Sequence, residues 1–178
     1  MRMTIENEEI DNILSEVYTE HKEQHADRYI DHYLEQYRIY LHIFNGLSER
    51  RQKANEFFLG LNTAIMAIMG YIETKEVVHI SAIFILVPFV GIAICYCWYQ
   101  MILSFRQLNR AKFKVIHSME KKLPASLFGA EWKLLGEGKD DTKYIPLSRL
   151  EKRIPIIFII LYLILFFINS PIASFFHF

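Results

Sequence analysis

The sequence predicts an all-α, polytopic membrane protein. It would comprise a helical hairpin, a third transmembrane helix, cytoplasmic N-terminal helices and a helical cytoplasmic insert. Three observations carry this reading. Phe57–Ile72 and Val77–Phe105 are apolar runs joined by the polar turn Glu73-Thr74-Lys75-Glu76. A further run, Ile154–Ile168, is entirely apolar and broken only by Pro155. The charges balance overall, at 20 Lys+Arg and 20 Asp+Glu, yet they lie in blocks. Residues 1–35 hold ten acids and three bases, a net −7, and residues 105–153 hold twelve bases and six acids, a net +6. Blocks of opposite sign suit two parts that face each other, or a basic part that faces anionic lipid.

Four regions follow. Residues 1–47 form an acidic helical region and 48–105 the hairpin, with spans at about 55–72 and 79–101. Residues 106–153 form a basic helical insert, and 154–178 form the third transmembrane segment and C-terminus. Met1–Glu9 is polar and acidic, without an apolar core of the secretory type, so the internal segments are expected to drive insertion.

In the first region Thr4 is a candidate N-cap, and Ile10, Ile13, Leu14, Val17 and Tyr18 recur at helical spacing. Ile30, Leu34, Tyr37, Leu41 and Phe44 then step by 4, 3, 4, 3, the spacing of a packing seam and a candidate oligomer contact. Asn45-Gly46 is expected to end that helix, and Ser48 to cap the next. His21, His25 and His32 share one face and make a candidate pH-responsive surface. His21-Lys-Glu-Gln-His25 is not a zinc-protease motif, because Lys22 stands where the glutamate must follow the first histidine. No metal and no cofactor are expected.

The hairpin's first arm is short. Sixteen residues cover about 24 Å at ~1.5 Å each, against about 30 Å of hydrocarbon. Its flanks decide in favour of a span. Arg50, Arg51 and Lys53 precede it, and Arg106, Arg110, Lys112 and Lys114 follow the second arm. Basic flanks stay in the cytoplasm, so the number of crossings between them is even. The same seven residues are candidate contacts for lipid headgroups. The second arm, Ile80–Tyr99, carries no charge; Pro88 and Gly91 are candidate kink positions. Cys95 and Cys97 lie two apart and point to different sides of a helix, which suits packing rather than a metal pair or disulfide.

Asn55, Gly60, Asn62, Thr63 and Ala67 mark a candidate inter-helix or pore-lining face. Small residues let helices approach closely, and amide or hydroxyl groups bond between them. No Lys, Arg or Asp lies in mid-span, which argues against a proton relay.

Beyond Phe105 the helix is expected to run on to Pro124. A short amphipathic piece with Trp132 and Leu135 ends at Gly136, and Gly136–Thr142 reads as a surface loop without a phosphate-binding pattern. Ser148-Arg-Leu-Glu151 has the spacing of a capping box. Asn169-Ser-Pro171 leaves two readings of the C-terminus, a full span to the periplasm or a re-entrant turn. The bases crowd the membrane edge, which disfavours nucleic acid as a partner.

Two blocks carry a family resemblance. One is Leu47-Ser-Glu-Arg-Arg-Gln-Lys-Ala-Asn-Glu-Phe-Phe-Leu-Gly-Leu-Asn-Thr63. The other gathers Trp98-Tyr-Gln100, Phe105-Arg-Gln-Leu-Asn-Arg-Ala-Lys-Phe-Lys-Val-Ile-His117, Glu120-Lys-Lys-Leu-Pro124 and Ala130-Glu-Trp-Lys-Leu-Leu-Gly136. Together, over about residues 45–155, they resemble the RipA family of small bacterial cytoplasmic-membrane proteins. The resemblance implies a homo-octamer of the inner membrane, linked to growth inside host cells and to envelope or lipopolysaccharide homeostasis. It supplies no catalytic residues. His117 and Glu120 form no recognisable acid/base pair, so an enzyme acting on lipid is not expected. The expected function is non-enzymatic, through the cytoplasmic face, with the chain itself, membrane lipids and an envelope-biosynthesis protein as candidate partners. An oligomeric pore lined by Asn62 and Thr63 is the alternative.

Overall fold

In the computed structural model, residues 12–13, 28–74, 81–138 and 142–169 are described. Thr4, Ile10, Leu14, Val17, Tyr18, His21, His25, Lys75 and Glu76 of the hairpin turn with residues 77–80, residues 139–141 and the segment after Asn169 lie outside them. Every described element is helical. In order they are α1 (Tyr29–Thr74), α2 (Ser81–Glu120), α3 (Leu127–Leu134), a 3-10 turn (Gly136–Gly138), α4 (Leu147–Glu151) and α5 (Arg153–Asn169).

Helix α1 corrects one expectation. It runs through Asn45-Gly46 without a break. Glycine inside a helix costs about 1 kcal/mol relative to alanine. Both sides of this glycine are held, since Phe44 packs on Phe113 with ring centroids 6.2 Å apart and Leu47 is buried. Stopping the helix would give up that packing, so the local preference loses. Ser48 consequently lies inside α1 instead of capping a second helix.

Helix α2 likewise absorbs Pro88, and it stops at Glu120, four residues before Pro124. The capping box does not form. Helix α4 begins at Leu147 after Pro146, so Ser148 is already its second residue and makes no side-chain cap. The carboxylate of Glu151 turns to Arg51 instead, 3.6 Å away. Pro155 falls in the first turn of α5, where a missing N–H costs no helical bond. After α3, Gly136 and Gly138 have φ of 70° and 69°, and Glu137 between them takes a left-handed φ of 55°.

Two of these helices, α1 and α2, are long and apolar enough to cross a membrane. Only 11% of the apolar window in α1 and 22% of that in α2 is buried within the chain, so most of this surface is left for lipid or for another copy. The third apolar helix, α5, has 17 residues and no charge after Arg153.

The chain divides into two compact units. One combines residues 1–48 and 107–145; the other combines 49–106 and 146–178. In the first, Tyr33, Tyr37, Tyr40 and Phe44 line the face of α1 that packs on α2. Phe113 joins that core to α3 through Phe128 and Trp132, at 6.1 and 5.8 Å. In the second, Phe58 stacks on Trp98 at 5.8 Å, and Phe89 meets Phe166 edge-on at 5.4 Å.

Candidate functional site

The most concentrated chemistry of the second unit is a polar seam among apolar side chains. Asn62 lies in the apolar half of α1 and is completely buried. Its Nδ2 donates to the carbonyl of Phe58, one turn back, at 2.8 Å. Its Oδ1 accepts from the thiol of Cys95 on α2 at 3.2 Å and from the hydroxyl of Tyr162 on α5 at 3.1 Å. One amide therefore ties three helices together. Two turns nearer the N-terminus, Asn55 Oδ1 accepts from Trp98 Nε1 at 2.9 Å. Where no water competes, an unpaired amide is costly, so each bond restricts how the helices can slide or rotate.

A glycine lets Tyr162 reach the seam. A Cβ on Gly91 would lie 2.2 Å from Cζ of the Tyr162 ring. The ring lies where a side chain at 91 would be, so the glycine permits this close approach.

The five residues read as one face divide into two sets. Asn55 and Asn62 turn inward and bond within the subunit. Gly60, Thr63 and Ala67 are exposed, and nothing lies within 4 Å of a Cβ placed on Gly60. The Thr63 hydroxyl donates to Leu59 O at 2.8 Å, its own helix's backbone. Cys95 is buried and Cys97 exposed, in keeping with two sides of one helix.

In the first unit the seam Ile30, Leu34, Tyr37, Leu41, Phe44 is likewise divided. Tyr37 and Phe44 are engaged by α2, Leu41 is half-buried, and Ile30 and Leu34 are exposed. The focus of this unit is Glu120, only 1% exposed at the last residue of α2. Its Oε1 accepts from Phe128 N at 3.0 Å and from the Tyr37 hydroxyl at 3.3 Å; its Oε2 accepts from Gly129 N at 3.1 Å. Ser126, beside the start of α3, makes no side-chain cap. Glu120 does that work from another helix, placing a carboxylate against otherwise unpaired N–H groups. Burial, then the charge of Glu120 and their hydrogen bond, push the Tyr37 hydroxyl up to about 12. Burial also raises Tyr40, whose ring carries Lys112 Nζ at 5.0 Å.

His32 is exposed, and no group of three or more His, Cys, Asp or Glu among the described residues is placed to hold a metal ion. Of the candidate headgroup contacts, Arg50, Lys53 and Arg110 are exposed; Arg51 pairs with Glu151 and Lys112 lies over Tyr40. Arg106 and Lys114 are half-buried.

Sequence reasoning missed Tyr162 and the capping role of Glu120. Tyr162 left a signal, as the only side chain in Ile154–Ile168 with a hydrogen-bonding group. Glu120 left none, since nothing local to it announces a helix seven residues on.

Long apolar helices tied by buried amide bonds define an all-helical integral membrane protein. The chain belongs to the octameric membrane protein family, whose model matches residues 34–171. It is thus a membrane protein that assembles with copies of itself. No curated protein and no solved structure matches it.

Proposed function

We propose that the protein is a non-enzymatic octameric scaffold of the bacterial inner membrane. It crosses three times, with its N-terminus cytoplasmic and its C-terminus periplasmic, and supports envelope homeostasis through its cytoplasmic face. One observation carries the scaffold reading: Asn55 and Asn62, in the apolar half of α1, spend their side-chain oxygens on bonds that hold the subunit together. Asn62 offers all three of its bonds inward, to Phe58, Cys95 and Tyr162, and is closed to solvent. The carboxylate oxygens of Glu120 are similarly taken by backbone N–H groups and Tyr37. Resemblance to the RipA family supports the envelope role and growth inside host cells. The basic flanks Arg50, Arg51, Lys53 and Arg106, Arg110, Lys112, Lys114 support the orientation and contact with anionic headgroups. An envelope-biosynthesis protein is the partner that suits the cytoplasmic face.

Reconstitution tests this reading against the pore. The purified octamer in liposomes should pass neither ions nor a small dye, across pH and voltage. A flux that Thr63→Leu reduces would establish a conduit along the exposed Gly60–Thr63–Ala67 face and overturn the scaffold. Loss of the gene should raise sensitivity to detergents that probe the envelope; an unchanged envelope would remove the proposed role.

A further inference from the structure

An octamer whose copies all enter the membrane the same way has its symmetry axis along the membrane normal. Dihedral arrangements would invert half of the copies. Neighbours in the remaining eightfold ring meet through two different faces, one from each, and those faces lie at the same level along the axis. Each subunit must therefore carry two complementary patches on different flanks. Lipid covers apolar side chains in the spans, whereas those in the first unit lie among charged residues. That unit is built from the charged halves of α1 and α2, among them Asp31, Glu35, Arg38, Arg110 and Lys114. Exposed apolar residues there call for protein.

Two patches in this unit meet the requirement. On α1, Ile39 and Ile43 are 52% and 50% exposed and lie one turn apart. On α3, Leu127 and Leu134 are 73% and 79% exposed and lie two turns apart. Phe128 and Trp132, on the other side of α3, hold it against Phe113.

The levels agree. The start of α3 is bonded to Glu120, which also takes Tyr37; Trp132 touches Phe113, which also touches Phe44. Helix α3 thus stands beside the stretch Tyr37–Phe44, where Ile39 and Ile43 lie. The flanks agree as well. The shared carboxylate puts α3 on the Tyr37 side of α1. At about 100° per residue, Ile39 and Ile43 are about 120–160° around the helix from Tyr37.

We infer that each copy's Ile39–Ile43 flank packs on the Leu127–Leu134 face of α3 in the next copy, closing the ring outside the membrane. The inference rests on the oligomeric reading above and names the contact that the reading leaves open. It moves the main extramembrane contact from the Ile30–Phe44 seam to the flank beside it, joined to the short amphipathic helix α3.

Cysteine cross-linking tests it, with oligomer mass measured in the same mild detergent. On a Cys97→Ser background, the protein carrying both Ile43→Cys and Leu134→Cys should oxidise to a covalent ladder reaching eight chains. Either substitution alone should leave single chains, because the contact joins two different faces. An octamer by mass with no ladder would overturn the contact while leaving the oligomer intact. Pairs formed by Ile43→Cys alone would also overturn it, in favour of a contact between two α1 helices. A monomer by mass would sink the oligomeric reading, and this inference with it. As a second measurement, Leu134→Glu should release smaller species without loss of helix content; a full octamer would count against the contact.

Discussion

Tyr162 and Asn62 are 100 residues apart in the chain, and the tyrosine hydroxyl donates to the asparagine Oδ1 at 3.1 Å. The same oxygen accepts the Cys95 thiol, so one amide joins α1, α2 and α5. Replacing Asn62 with leucine strands the Tyr162 hydroxyl and the Cys95 thiol, while the Phe58 carbonyl keeps its helical N–H partner. Asn62→Leu should destabilise the subunit by about 1–2 kcal/mol. Tyr162→Phe should cost less, and the two changes should be less than additive in a double-mutant cycle. Unfolding in mixed micelles measures all three variants; full additivity would mean that the bond carries no energy.

Gly91 should tolerate no side chain. The Cβ of an alanine would sit 2.2 Å from Tyr162 Cζ, so the ring or the helix must move. Overpacking of this kind costs about 1–3 kcal/mol. Gly91→Ala should lower thermal stability, and adding Tyr162→Leu should restore part of the loss. A stable Gly91→Ala variant would show that α5 can shift freely.

Gly60 should behave in the opposite way. It has open space around it within the subunit. Gly60→Leu should leave the single subunit folded while reducing octamer recovered in mild detergent. Mass photometry distinguishes the two effects, and an unchanged octamer would assign this face to lipid.

Glu120 anchors α3 from across a turn. Glu120→Ala removes the acceptor for Phe128 N and Gly129 N, and loss of such a cap costs about 0.5–2 kcal/mol. Hydrogen exchange should accelerate at residues 127–135 more than in α1. Glu120→Gln keeps one acceptor oxygen and should recover part of the protection. Uniform exchange in wild type and Glu120→Ala would show that the cap is dispensable.

Alkaline pH should loosen the first unit through Tyr37. Its folded pKa is raised from 10.0 to about 12, so the folded state keeps a proton that the unfolded state has already lost. The stabilising contribution is complete below pH 10 and disappears as pH rises towards about 12. Tyr37→Phe should flatten this part of the stability profile. An equal slope in both proteins would place the alkaline transition elsewhere.

How much of this was legible depended on distance along the chain. The three apolar runs appear as helices over their described residues, because lipid-facing length and charge exclusion are properties of consecutive residues. The short piece around Trp132 was legible too, from its spacing and from Gly136. Local signals failed where a distant contact opposed them. Gly46 reads as a stop, yet Phe113 and the burial of Leu47 keep α1 continuous. Ser148 and Glu151 read as a capping box, yet Arg51 takes the glutamate.

The sequence by itself determined where the apolar helices lie, the membrane character and the segregation of charge, since each follows from the side chains within one stretch. Only the tertiary structure decided which polar groups face one another. It turned Asn55 and Asn62 inward while leaving Gly60, Thr63 and Ala67 outside, and made Glu120 the cap of a helix it does not belong to. The physical reason is direction: neighbours on one helix differ by about 100° in azimuth, so burial or exposure is settled by the helices packed beside them.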